Sequence, residues 1–150
     1  LQVVQKYVQS ERKSCEAGGI LIGRENCGNS NLIIEFITEP MTADQRSRNR
    51  FLRKDKRHLD FFKKLYEENE GVYGYMGEWH THPENIPQYS FIDSNNWKKI
   101  GKEMKGGIQY HIIAGIQEVG IWEYNAVQKR ITKICSIDWK GILKENETII

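Results

Sequence analysis

No apolar run in this sequence approaches the length of a membrane span, and no charged–apolar–small leader pattern opens it. Membrane insertion and secretion by a cleaved signal are therefore not expected. The chain opens on Leu1 rather than Met, which leaves room for residues upstream. Cysteine is scarce: Cys15, Cys27 and Cys135 make an odd count without a CxxC pair. That argues against a disulfide scaffold and for a reducing, cytoplasmic setting, where the sequon at Asn146 carries no meaning. Charge of one sign is missing too. The 22 Lys and Arg against 20 Asp and Glu leave +2, too little to draw the whole chain to nucleic acid or to a membrane surface. No HExxH string occurs, which excludes a thermolysin-like zinc helix. A phosphate-binding loop is lacking as well: Gly23 to Gly28 has the glycine gap, but Asn29 stands where lysine is required.

What is present suits one domain over residues 1–150 with a real core: 39% hydrophobic and 28% charged residues over a length without repeats or linkers. Val4, Tyr7 and Val8 predict a short amphipathic helix within 2–12. The runs 18–25 and 31–38 read as antiparallel strands joined by a turn at 26–30. Pro40 ends the second strand, and a polar, basic stretch follows. A helix over about 55–69 carries Leu59, Phe62, Leu65 and Tyr66, and Asn69 and Gly71 stop it. Residues 72–82 read as a strand closed by Pro83. Ser90 opens a helix with Ile92, Trp97, Ile100 and Met104, ended by Gly106-Gly107. Three strands with tight turns fill the last third, and a tail begins at about 138. The fold class is α/β of the α+β type: a mixed sheet with helices packed on its faces.

The chemistry concentrates in "GEWHTHPENIPQYSFID", Gly77 to Asp93. Side chains two apart on a strand share a face, so His80 and His82 project together with Thr81 turned away. They suit one zinc ion, which in hydrolases takes three protein ligands and keeps one position open. Asp93 is the candidate third ligand. If Ser90 is the N-cap, Asp93 falls in the first helical turn, close to the strand end. Alone, Ser90-x-x-Asp93 is an ordinary cap and His-x-His an unremarkable pair. In this order, with Pro83 and six residues before Ser90, they reinforce each other.

The string His80-x-His82-Pro83-x6-Ser90-x2-Asp93 resembles the signature of the JAMM (JAB, MPN+) metalloproteases, zinc isopeptidases that cut ubiquitin or ubiquitin-like modifiers from their attachment points. The resemblance covers most of the chain and implies the JAB/MPN, cytidine deaminase-like fold. It implies an upstream glutamate, supplied as Glu16 in "CEAGGILIG". It also implies one zinc ion with a bound water, held by His80, His82 and Asp93. In that scheme Glu16 is the general base and Ser90 the hydroxyl that meets the oxyanion. One hydroxyl oxygen serving both cap and oxyanion suggests a conflict, so Ser90 is expected to turn towards the metal. "TEP" at 38–40, "RSRNRFLRKD" at 46–55 and "GEWHTHPE" at 77–84 resemble a bacterial branch of type II CBASS anti-phage operons. There the JAMM protein frees a conjugated cGAS-like nucleotidyltransferase beside an E1–E2-like conjugating enzyme. The partner implied is that conjugate or another ubiquitin-like-tailed protein, with neither membrane nor nucleic acid as a partner.

Other readings bound this one. A sulfur-carrier tail would suit the same site. RadC-like JAB proteins of DNA metabolism share the HxHP…S…D string, and nine basic residues against two acidic ones between Arg46 and Lys64 give that reading some footing. A non-catalytic MPN− scaffold would lack the ligands. Cys15 reads as an idle thiol, His58 as exposed on the basic helix, His111 as a satisfied, partly buried histidine, and Trp79 and Trp97 as packing residues.

Overall fold

The computed structural model describes residues 1–26, 28 and 31–142. Cys27, Asn29, the sequon at Asn146, most of the 26–30 turn and the tail beyond residue 142 lie outside the described residues. Along the chain the elements are α1 (Gln2–Gln5), β1 (Gly18–Glu25), β2 (Leu32–Ile37), β3 (Gln45–Ser47), β4 (Arg50–Leu52), α2 (Arg57–Glu68), β5 (Gly74–Thr81), α3 (Phe91–Glu103), β6 (Ile108–Ala114), β7 (Glu118–Asn125) and β8 (Arg130–Asp138).

Six strands form one mixed sheet in the order β2-β1-β5-β6-β7-β8, and β3 and β4 form a separate hairpin. β1 buries its first six residues because it lies between β2 and β5, antiparallel to both. β5 and β6 are parallel, a pairing no hairpin can join; α3 is the crossover between them. Alternation along the strands splits the core in two. One face gathers Val4, Leu21, Trp79, Ile112, Val119 and Trp139. The other gathers Ile113, Trp122 and Tyr124 under Trp97 of α3. Opposite Leu21–Ile22 the register of β5 skips Met76, with Leu21 facing Gly77 and Ile22 facing Tyr75. This bulge needs Gly77: its φ is +148°, and a Cβ there would collide with the Tyr110 carbonyl. The bulge sets which face the next residues of β5 present.

Two sequence expectations change, and two stretches gain structure. The first helix ends at Gln5, short of residue 12. Beyond it the fully buried Gln9 acts as a brace, donating to the carbonyls of Ser14 (3.0 Å) and Arg48 (2.8 Å) and accepting from the Thr81 hydroxyl (3.0 Å). The basic stretch after Pro40 holds the β3–β4 hairpin. The hairpin's neck is clasped by Asp44, whose Oδ1 accepts from Lys54 N and Asp55 N, each at 2.9 Å. His58 is buried, not exposed. Its Nε2 donates to Asp44 Oδ2 at 2.8 Å, and Nδ1 faces the Thr38 hydroxyl. The buried face of α2 is thus His58, Phe62 and Leu65, turned away from Leu59 and Tyr66, which are 45% and 50% exposed. Trp139, near the start of the stretch read as a tail, joins the core. Trp139 is buried and its indole donates to the Gly115 carbonyl at 3.0 Å. No helix among the described residues is long and apolar enough to cross a membrane.

Candidate metal centre

Past the Gly77 bulge, Trp79 and Thr81 turn into the core. Thr81 Oγ1 accepts from Ala17 N and donates to Gln9, both at 3.0 Å. Glu78, His80 and His82 therefore face the other way, at the carboxyl end of β5 where α3 begins. Ser90 is the N-cap of α3, with extended backbone. A full capping box fixes the first turn: Asp93 N donates to Ser90 Oγ at 3.1 Å, and Ser90 N donates to Asp93 Oδ2 at 2.6 Å. Ser90 therefore keeps its cap, against the expectation that it turns away. The conflict is only apparent, because the cap uses a lone pair and leaves the O–H free to donate elsewhere.

The sheet and the cap bring the three predicted ligands to one point. Their ligand atoms lie within 4.8 Å of one another. His80 Nε2 stands 3.0 Å from His82 Nε2 and 3.1 Å from Asp93 Oδ1, and His82 Nε2 stands 3.4 Å from Asp93 Oδ2. A tetrahedral zinc ion with ligands at about 2.05 Å separates them by about 3.3 Å, so this donor triangle fits such an ion in chemistry and in size. The electrostatics suit a cation as well. Burial opposes ionisation of Asp93, yet the His80 and His82 imidazoles and the Ser90 N–H hold its carboxyl far below the usual range. Burial likewise opposes charge on His82, but Asp93, Glu16 and Glu84 together keep its pKa above the ordinary value.

Glu16 reaches the same place from the segment before β1. Its Oε1 lies 4.0 Å from His82 Nε2. Burial pushes its carboxyl up to about 7, against the pull of His80, His82 and the Phe51 N–H and with the push of Asp93. Its backbone is tied to the hairpin: Glu16 N donates to the Ser47 carbonyl at 2.8 Å, and Arg46 Nε donates to the Glu16 carbonyl at 2.7 Å. Reading the sequence did not find Arg46 or Phe51. Arg46 is one cation among nine, and a backbone N–H leaves no trace in residue identity.

The other candidates fall where they do no metal chemistry. Cys15 is half-buried and Cys135 exposed, and neither lines the cavity at the site. Trp79 and Trp97 are both buried, as packing residues. His111 is wholly buried, more than expected. It stacks flat on Trp97 (centroids 4.4 Å apart, planes at 9°), faces Gln109 Oε1 at 3.1 Å, and is pushed by burial down to about 3. Of the basic stretch, Arg46, Arg48, Arg53 and Arg57 bind carbonyls or carboxylates of the chain itself. A cavity of about 560 Å³ opens over Glu16, His80, His82, Ser90 and Asp93.

The family model for prokaryotic homologues of the JAB domain matches residues 2–127. A CD-NTase/cGAS isopeptidase of Escherichia coli is 39% identical over 94 residues, 63% of this chain and 59% of that protein. Proteins of the same name from Pseudomonas aeruginosa and Vibrio cholerae are 31% and 34% identical over 105 and 93 residues, 70% and 62% of this chain. The matched stretches span 65% and 58% of those two proteins, so this chain corresponds to about three-fifths of its curated relatives. The solution structure of a Desulfitobacterium hafniense protein, 18% identical, superposes over 88% of this chain and 82% of that one with a TM-score of 0.57. At that identity the likeness speaks for the fold.

Proposed function

Since the chain belongs to the family of prokaryotic JAB-domain homologues, we propose that it is a zinc-dependent isopeptidase that releases a conjugated cGAS-like nucleotidyltransferase in CBASS anti-phage defence. The names of the relatives support the substrate. The observation that carries the chemistry is the convergence of His80, His82 and Asp93 on one point beside the buried Glu16. These three residues would hold the ion. When bound, zinc there supplies a Lewis acid that polarises a carbonyl and acidifies water.

The chain's own groups do the rest. Glu16, with a carboxyl raised by burial, takes a proton from the attacking water as its oxygen bonds to the scissile carbonyl carbon. The same carboxyl then passes the proton to the leaving amine as the C–N bond breaks. The Ser90 O–H, left free by the cap geometry, donates to the oxyanion. Water is the nucleophile, so no side chain becomes acylated. An E1–E2-like enzyme would make the bond that this reaction undoes. A sulfur-carrier tail would pass through the same chemistry, but the relatives' names favour the conjugate. The nucleic-acid reading loses footing, because six of the nine cations behind it are engaged within the chain.

The test is cleavage of a nucleotidyltransferase conjugate by the zinc-loaded chain. A chelator is expected to abolish it and added zinc to restore it, while a thiol alkylator leaves it intact. The reverse pattern would make this a cysteine enzyme and end the proposal.

A further inference from the structure

Beside the metal centre the cavity continues as a groove with two walls. One wall is a single face of α3, where Ile92, Asn95, Asn96, Lys99 and Glu103 recur at helical spacing. The other is the hairpin segment 49–54. From Ile92 to Glu103 the helix rises about 16 Å, room for about five residues of extended chain.

Pairing among the described charged residues of this groove leaves two cations without a partner. Glu78 at its floor is taken: Oε1 accepts from Arg53 Nε at 2.8 Å and from the Tyr75 hydroxyl at 3.0 Å, and Oε2 accepts from Asn96 Nδ2 at 3.2 Å. Lys99 faces Glu103 at 4.0 Å along the helix. Asp93 and Glu16 belong to the metal centre. Arg50 and Lys54 remain. Both line the groove, both are exposed, and neither forms an ion pair among the described residues.

We propose that the polypeptide cleaved here carries an acidic side chain within about five residues of the scissile bond, and that Arg50 and Lys54 receive it as the anion the groove lacks. This rests on the isopeptidase reading and narrows its substrate. A phosphate backbone fits less well. Two free cations fall short of the several phosphate contacts on which nucleic-acid affinity rests. Arg50 and Lys54 act by choosing the substrate, so their signature is a preference between charges rather than a loss of chemistry.

The experiment scans Glu, Gln and Lys through the five tail positions next to the scissile bond of a fluorogenic fusion, using the zinc-loaded chain. At one position or more, wild type is expected to prefer Glu over Lys by about tenfold in kcat/KM. Arg50→Glu and Lys54→Glu each shrink that ratio, and the double variant inverts it towards Lys. If fusions are cut but Glu, Gln and Lys are equivalent at all five positions, the inference is overturned and the isopeptidase reading stands. If zinc-loaded wild type cuts neither the fusions nor a nucleotidyltransferase conjugate, the isopeptidase reading falls. Fluorescence anisotropy of the same tails on wild type then decides the charge question: tighter binding of Glu tails upholds the acidic preference, and equal binding overturns it. Double-stranded DNA that binds more tightly than any acidic tail, with a steep salt dependence, overturns it in favour of nucleic acid.

Discussion

His80, His82 and Asp93 stand on elements rooted in the core, whereas Glu16, one residue before the core residue Ala17, is also tied by polar contacts to a hairpin. Behind the ligands lie the inner strands β5 and β6, the capping box of α3 and the stacked Trp97–His111 pair. Glu16, by contrast, depends on Ser47, Arg46 and Phe51, all from the β3–β4 hairpin, whose own residues are exposed or half-buried. On the proposed roles, the difference makes metal affinity and proton transfer separable. The proposed ligands are held mainly by packed elements, and the proposed base, beside the buried Ala17, is held in addition by a clamp of hydrogen bonds to an exposed hairpin. Disturbing the clamp should leave the metal in place.

The largest effects break the first half of this comparison. His80→Ala or Asp93→Ala is expected to reduce zinc content to background by elemental analysis, and with it the whole rate enhancement, at least about 10⁶-fold. The two variants differ in one respect. Asp93→Ala also removes a capping-box member, so in metal-free protein it alone should lower unfolding stability, by about 1 kcal/mol in a denaturant titration. Glu16→Gln comes next. Full zinc content with kcat down by about 10²–10⁴-fold is the expected outcome, and zinc loss in that variant would erase the separation between the two halves.

The ligand half was the legible half. His80, His82, Ser90 and Asp93 are close in sequence, and their spacing alone maps onto a strand end and a first helical turn. Glu16 became visible only through resemblance, because 64 residues separate it from His80 and no periodicity links them. The sheet was readable from its apolar runs, and α3 from its cap. The hairpin was not: β3 and β4 have three residues each, and their polar sequence resembles any solvated loop. His58 misled for a related reason. A histidine amid lysines reads as exposed until Asp44, fourteen residues away, supplies the buried partner that satisfies it. Where hydrogen bonds rather than apolar area decide placement, sequence pattern carries little signal.

Arg46 tests the clamp with a smaller effect. Its Nε donates to the Glu16 carbonyl, its Nη2 approaches the Cys15 carbonyl at 3.4 Å, and its guanidinium lies over the Tyr7 ring, 5.7 Å from the centroid. Arg46→Ala is expected to lower kcat about tenfold, with KM and zinc content unchanged, since a base shifted by a fraction of an ångström loses proton-transfer geometry before it loses anything else. Lysine cannot reproduce a two-carbonyl fork, so Arg46→Lys should fall between. A rise in KM at constant kcat would place Arg46 in substrate binding instead.

The smallest effect is a pH response confined to the hairpin's neck. Burial opposes ionisation of Asp44, but the N–H groups of Asp55, Met41 and Lys54 together with His58 hold its carboxyl below the ordinary value. A carboxyl with a lower pKa folded than unfolded stabilises fully above the unfolded value, about 4 for aspartate, and loses that contribution as pH falls through the folded one. Amide protection factors at Lys54 and Asp55 should therefore drop about three- to tenfold below pH of about 4, while those of β6 and β7 hold. Asp44→Asn should flatten this response, because an amide does not titrate. Equal loss of protection in the hairpin and the core would mean that both halves of the site open as one unit, and Glu16 would then be held by the same packing as the metal ligands.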